Sequence, residues 1–522
     1  MSHKSAYLVI IAAFLVFPGC RIEKAKIDVR PNILFIMSDD HTSQAWGIYG
    51  GILKNYVHAP NIKRLADEGM VLDNVFCTNS ICVPSRGTIL TGQFSNRNGI
   101  YTLADALAPD SMNIAKLLKN AGYHTAIIGK WHLKKEPSGF DYYNILHDQG
   151  RYWDPILKTR KNFHKPPKYW DVHKGFSTDV ITGLAINWLD TIDRSKPFFL
   201  MTHFKATHEP FDYPDRYKNL FKDIDLPEPE NLYDFSKSTT GRTFIGQQLE
   251  NLGWRYKQAS DAPDKWWCKY PGMPFYTTGL DSIAKRKKIY QKFVKDFLRS
   301  GAAIDDNIGR LLDYLEKNGL AENTVVIYTA DQGYFLGEHG FFDKRLIYEE
   351  SLRMPFVIRY PKEIKGGKRL DDIIMNIDFA SLFADYAGVK TPPSMQGRSF
   401  RQNLTGKTPP DWRKTAYYRY WQHYPIRPAH FGIRSKDYML ALFYGQPLDM
   451  TDVSQETTKP AWEFYDLKKD PHEDHNAIND PEYAGIIKQM KAELKKQREY
   501  YGDTDEQYHV MQEIFEEYWN WK

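Results

Sequence analysis

From Arg30 onward, short runs rich in β-branched and aromatic residues alternate with stretches of helical period. No other feature constrains the fold as much, because such alternation builds an α/β domain around a mostly parallel sheet flanked by helices. Asn32 to Asp40, NILFIMSDD, reads as a buried strand closed by two carboxylates. An amphipathic helix stopping at Gly122 leads into a strand from His124 to Ile128, which exits at Lys130 and His132. KPFFLMTHFKATHEPF is a third strand with His208 beyond its end, and NTVVIYTADQG a fourth that exits at Asp331 and Gln332. Met354 to Pro361 is a candidate fifth, and helices are expected over Thr178 to Asp193 and Ala284 to Asn318. Ligands of such sheets gather outside the carboxyl ends of the strands, so four polar exits point to one site.

The chain is long enough for more than one unit: 522 residues, 42% hydrophobic, support a large core and a smaller companion. We assign 30–400 to one large α/β domain. The segment 212–278, rich in Pro, Tyr, Trp and Lys without sustained period, is expected as an insertion over the sheet. Beyond Arg398, strand-like pieces followed by a charged helix near Ala484 to Tyr500 make 401–522 an α+β subdomain with a small antiparallel sheet. The net charge of +5, from 70 basic and 65 acidic side chains, shows no clustered basic stripe and argues against a nucleic-acid partner. The aromatic clusters RYWDPI, PPKYWDVHK and DKWWCKYPGMPFY suit either scaffold or the lining of an open sugar cleft.

Residues 1–20 read as an export signal. Lys4 supplies a positive start, Ala6 to Phe17 is an apolar run too short to span a membrane, and FPGC places small Gly19 before Cys20. A cysteine after a small residue resembles a bacterial lipoprotein cleavage site, although Phe17 and Pro18 depart from its usual pattern. The expected location is the periplasm, or the outer membrane through a lipid anchor at Cys20. Cys77, Cys82 and Cys268 remain in the mature chain, an odd count that argues against a disulfide framework, with a Cys77–Cys82 bridge or simple burial of Cys82 as the alternatives.

Cys82 opens the stretch ICVPSRGTILTG. Pro84 suits the first position of a helix and Gly92 its stop, which puts the thiol near a helix N-terminus. Partial positive charge there favours an anion and is expected to lower the thiol pKa. Asp39, Asp40 and Asp331, with Gln332 beside them, form an oxygen-only set at two strand exits. Such a set suits a hard cation such as Ca²⁺ or Mg²⁺, and without one the carboxylates repel each other. An aspartate pair at a strand end is equally ordinary turn chemistry.

CVPSRGTILTG matches in full the Cys-x-Pro-Ser-Arg-x-x-x-Leu-Thr-Gly signature of the type I sulfatases. SDD, GKWHL, HEPF, DQGYFLGEHGFFDKR and WEFYDLKKDPHEDHN resemble that family's other segments, in family order. The resemblance runs from Asn32 into the C-terminal subdomain and implies an alkaline-phosphatase-like fold. It further implies that a maturation enzyme oxidises Cys82 to formylglycine, whose hydrate attacks a sulfate ester with one hydroxyl and uses the other to expel sulfate, two easier steps in place of one. By resemblance, Asp39, Asp40, Asp331 and Gln332 hold Ca²⁺, ahead of Mg²⁺, although Gln332 departs from the usual Asn or His. Arg86 anchors the formylglycine hydroxyl, and Lys130 and Lys344 neutralise the sulfate. His132 takes the proton when the diol collapses, and His208 protonates the departing alcohol. Lys205 and His339 are pocket wall or scaffold.

The implied activity is hydrolysis of sulfate esters on sulfated sugars, nearest in type to N-acetylglucosamine-6-sulfatases or iduronate sulfatases. Two alternatives stay open on sequence alone. One is a phosphonate or phosphate ester hydrolase of the same fold, and the other a lipoprotein that binds sulfated glycans while Cys82 stays unmodified.

Overall fold

A computed structural model describes residues 30–233 and 248–519. The export signal with Cys20, and residues 234–247 of the expected insertion, lie outside the described residues. The central sheet takes ten strands: β1 (Asn32–Asp39), β2 (Met70–Phe76), β3 (His124–Gly129), β4 (Tyr142–Leu146), β5 (Ile156–Thr159), β6 (Asp171–Val172), β7 (Phe198–Thr207), β8 (Thr324–Ala330), β9 (Phe356–Arg359) and β10 (Lys368–Met375). Their order across the sheet is β10-β2-β9-β8-β1-β7-β3-β4-β5-β6. β8, β1, β7 and β3 are adjacent and mutually parallel, so their carboxyl ends meet at one edge. Every residue of β1, β7 and β8 is buried, as strands covered on both faces require.

β9 runs antiparallel to both β8 and β2, and the hairpin β4-β5-β6 closes the far edge, so the sheet is mixed rather than wholly parallel. The strands β2, β4, β5, β6 and β10 have no counterpart among the sequence-based expectations. Helices cover both faces, the longest being Ser282–Lys317 and the next Ser177–Thr191.

The C-terminal sheet is antiparallel, β11 (Thr415–Tyr420), β12 (His430–Ser435), β13 (Tyr438–Phe443) and β14 (Ala461–Asp466), with the helix Ala484–Tyr501 against it. It shares one continuous apolar core with the central sheet. Phe94, after the Cys82 helix, packs on Tyr417 and Tyr501 at ring separations of 5.5 and 4.3 Å. The segment 212–278 does carry periodic structure in its described part, contrary to expectation. Its helix Leu249–Asp261 buries Leu249, Leu252, Tyr256 and Ala259, an i, i+3, i+7, i+10 stripe, against the long helix.

Candidate active site

Each strand exit delivers a polar side chain to the same edge. Asp39 ends β1, and Asp40 follows in a left-handed turn with φ 64°. Asp331 follows β8, its backbone N–H donating to Ser38 O at 3.2 Å. Lys130 follows β3 through Gly129, whose φ of 104° and 1.9 Å clearance between a hypothetical Cβ and the His203 carbonyl oxygen admit only glycine. The turn is pinned by Lys130 N–H donating to His203 O at 2.8 Å. His208 follows β7, its carbonyl accepting from Tyr152 Oη at 2.6 Å.

The helix Cys82–Thr91 points its N-terminus at this edge and ends on Gly92 in a left-handed cap, φ 62°. Cys82 itself is the first helical residue and Pro84 the third, two positions later than expected. Proline fits there because the first four N–H groups of a helix have no internal partner to lose. Cys82 Sγ lies 3.2 Å from Asp39 Oδ1 and 3.9 Å from Lys130 Nζ. The expected lowering of the thiol pKa is reversed: burial first, then the neighbouring Asp39 charge, push it up. Among the described residues no disulfide forms; Cys77, Cys82 and Cys268 are free and buried.

Three cations face three carboxylates. Arg86 Nε donates to Asp331 Oδ2 at 2.9 Å and its Nη1 to the Lys130 carbonyl at 2.9 Å. Lys130 Nζ donates to Asp39 and, at 2.7 Å, to Gln149 Oε1. Lys344 Nζ donates to Asp40 Oδ2 at 2.5 Å. Burial alone would raise the Asp39 carboxyl, but Lys130, His208, Arg86 and Lys344 together hold it well below the usual range. Burial dominates at the other two, raising Asp40 and pushing Asp331 up to about 7 against the pull of Arg86.

These residues fit a divalent cation. Asp39, Asp40 and Asp331 each offer an oxygen within 4.8 Å of the others. Gln332 Oε1 is buried without a hydrogen-bond partner while its amide nitrogen donates to Asp40. Amide orientation is interchangeable, and turning it would set two oxygens face to face, an arrangement that calls for a cation between them.

His208 Nε2 lies 3.7 Å from Asp40 Oδ2, and its Nδ1 donates to the Glu209 carbonyl at 2.9 Å. Burial holds the ring's pKa well below that of free histidine. His132 sits behind the cleft wall, buried, with Nε2 3.7 Å from Asp148 Oδ1. Lys205 lines the cleft, and His339 does not; its ring stacks on Tyr348 at 5.3 Å.

The cleft above Cys82 has a volume of about 940 Å³. Of the aromatic clusters, Trp153 and Trp267 line it and stay exposed at 41% and 66%, Tyr152 lines it while nearly buried, and Tyr270 is buried as scaffold. Arg255, Arg345 and Arg427 line its mouth, and none of them stands out in the sequence. Arg345 adjoins Lys344, a weak signal; Arg427 comes from the distant β11–β12 loop.

Residues 31–389 match the Sulfatase family model, and 337–500 the model described as N-sulphoglucosamine sulphohydrolase, C-terminal. The chain is 41% identical to an N-acetylglucosamine-6-O-sulfatase of Bacteroides thetaiotaomicron, over 97% of this chain and 92% of that protein. It superposes with a TM-score of 0.81 and 39% identity on a relative solved in complex with its substrate D-glucosamine-2-N,6-O-disulfate, covering 92% and 100% of the two chains. A phosphonate monoester hydrolase of Agrobacterium radiobacter, 19% identical with a TM-score of 0.68 over 90% and 96% of the chains, shares the fold. The chain belongs to the sulfatase family and is a sulfuric ester hydrolase.

Proposed function

We propose that this protein removes 6-O-sulfate from N-substituted glucosamine units of sulfated glycans, with Cys82 matured to formylglycine. The observation that supports this most is the position of Cys82, first in its helix and within 3.9 Å of both the Asp39 carboxylate and the Lys130 ammonium, at the floor of a sugar-sized cleft. The two relatives name the substrate class, one by its activity and one by its bound ligand.

Asp39, Asp40, Asp331 and Gln332 would hold Ca²⁺. When bound, the cation supplies positive charge that favours the ionised nucleophile and offsets the charge of the sulfate. Lys130 and Lys344 carry positive charge on either side of Cys82, and Arg86, buried and bonded to Asp331, fixes the helix and holds the carboxylate in place. With Nδ1–H committed to the Glu209 carbonyl, Nε2 is the atom of His208 free to carry a proton to the departing alcohol. An anion seated beside it favours its protonated form. His132, behind Lys130, is assigned proton removal after the alcohol has left. Export through residues 1–20, with a lipid anchor at Cys20, would place the enzyme where extracellular glycans arrive.

The test is sulfate release from N-acetylglucosamine-6-O-sulfate, followed by ion chromatography, against the 3-O- and 4-O-sulfated isomers. Turnover confined to the 6-O-sulfate supports the reading; equal turnover of all isomers, or of none, overturns it. Globomycin-sensitive processing and palmitate labelling of the full-length chain test the anchor, and absence of label removes it.

A further inference from the structure

Above the sulfate-sized floor, the mouth of the cleft holds an uneven set of charges. Asp343 Oδ2 alone accepts from two guanidiniums, Arg345 Nε at 3.1 Å and Arg427 Nη1 at 3.0 Å. Arg345 is completed by the Tyr420 hydroxyl, which accepts from its Nη1 at 3.2 Å. Arg255 is committed to Glu209, 2.7 Å from its Nη1. Arg427 has no such completion: its Nε is buried and without a hydrogen-bond partner. The charged groups that act on it are Arg345, Asp343 and Arg255, two cations and one shared carboxylate. Burial, together with repulsion from Arg345 and Arg255, makes its charge less favourable than that of a free arginine. A guanidinium stays charged under such pressure, so the mouth carries positive charge that Asp343, shared with Arg345, offsets only in part, and Arg427 lines the cleft as a donor whose Nη1 alone is paired to a carboxylate.

The chemistry of the substrate class gives that donor a partner. In a glucosamine sulfated at both C6 and the C2 nitrogen, the two anions lie on opposite sides of the pyranose ring. With the C6 sulfate at the Cys82 floor, the second anion is carried out toward the mouth. Guanidinium forks recognise sulfate-type oxygens through paired N–H donors.

We propose that Arg427 binds a second anionic substituent of the substrate sugar, an N-sulfate, and thereby selects doubly sulfated glucosamine over its N-acetylated counterpart. The inference rests on the 6-O-sulfatase reading above and adds to it the residue that discriminates at C2. It gives the C-terminal sheet a direct part in substrate choice, since Arg427 lies between β11 and β12.

The test compares kcat/KM for glucosamine-2-N,6-O-disulfate and N-acetylglucosamine-6-O-sulfate in the full-length enzyme and in Arg427→Gln. The natural enzyme should favour the disulfate, and Arg427→Gln should reduce that ratio by ~10–100-fold, the range for loss of a hydrogen bond to a charged group. Arg427→Lys, which keeps the charge but not the fork, should restore the ratio in part and stands in if the glutamine variant fails to fold. Glucosamine-2-N-sulfate, lacking the scissile group, should compete with substrate in the natural enzyme more strongly than N-acetylglucosamine does. A ratio unchanged in both variants overturns the assignment while leaving the 6-O-sulfatase reading intact. Hydrolysis of neither 6-O-sulfate by the natural enzyme ends both.

Discussion

The Cys82 sulfur lies 3.2 Å from Asp39 Oδ1, so a thiol and a carboxylate share the floor of the cleft. Burial and that carboxylate keep the thiol protonated, which makes the unmodified side chain a poor nucleophile where the reaction needs a strong one. Activity should therefore track the fraction of Cys82 converted to formylglycine, read by mass spectrometry of the peptide spanning it. Cys82→Ser should lose turnover in a host that matures only cysteine. Full activity in protein whose Cys82 remains wholly alkylatable would overturn the maturation.

The two histidines should separate by leaving group. A sugar alkoxide needs a proton as it departs, whereas nitrophenolate leaves largely unaided. His208→Ala should slow sugar-sulfate hydrolysis more than aryl-sulfate hydrolysis, by ~10²-fold in the ratio of kcat/KM values. His132→Ala should bring both substrates to a common kcat, since its step follows loss of the alcohol. Equal losses for the two substrates in His208→Ala would remove the general-acid role.

Chelation should abolish activity and leave the fold in place. Asp39, Asp40 and Asp331 sit at strand ends, while the core beneath them extends through both sheets. Far-UV circular dichroism should be unchanged after exhaustive chelation, with Ca²⁺ restoring activity. Undiminished rates in protein shown to be metal-free by elemental analysis would refute the cation's role.

Substrate affinity should fall in alkali through Lys205. Burial, then the charge of Lys130, lower its ammonium to about 8, so it is positive below that pH and neutral above. KM should rise as pH passes about 8, with Lys205→Met already raised and nearly flat across the same range. Identical KM profiles for the two proteins would place Lys205 in the scaffold.

Stability should depend on a charge cluster that does not line the cleft. Arg419, 2% exposed, donates to Asp503 at 2.5 Å and Asp505 at 2.9 Å, with its guanidinium 3.4 Å from the Trp421 ring centre. Arg498 also holds Asp505, at 2.7 Å, but nothing else in that cluster replaces Arg419 on Asp503 except the Tyr417 hydroxyl. Arg419→Met should cost ~3–5 kcal/mol in chemical denaturation, because it leaves buried carboxylates short of counter-charge. A loss below ~1 kcal/mol would show that the pair is replaceable.

Much of this site can be read in the chain because its residues sit where strands of one sheet must end. Asp39, Lys130 and Asp331 each follow a largely apolar run, His208 follows a strand that opens with one, and parallel topology brings such ends together. β2 and β10 escaped the same reading because Asp73 and Asn74 interrupt one and the other is half polar, as strands near a sheet edge are. The helix Leu249–Asp261 escaped because Glu, Asn, Trp, Arg and Lys surround its narrow stripe. Arg427 could not be found, since an arginine in a loop looks like surface charge until the fold carries it to the cleft.

The burial of Cys82 also sets an order of events. At 1% exposed, its sulfur can be met by a small anion entering the cleft but not by the active site of another protein. If Cys82 is matured as proposed, its oxidation would compete with closure of the sheet over it, and only chains intercepted before they fold would become active. Folded protein incubated with a maturation enzyme should remain unconverted while a peptide spanning Ile81 to Gly92 is oxidised, so inactive protein, once folded, is a permanent product rather than a reserve.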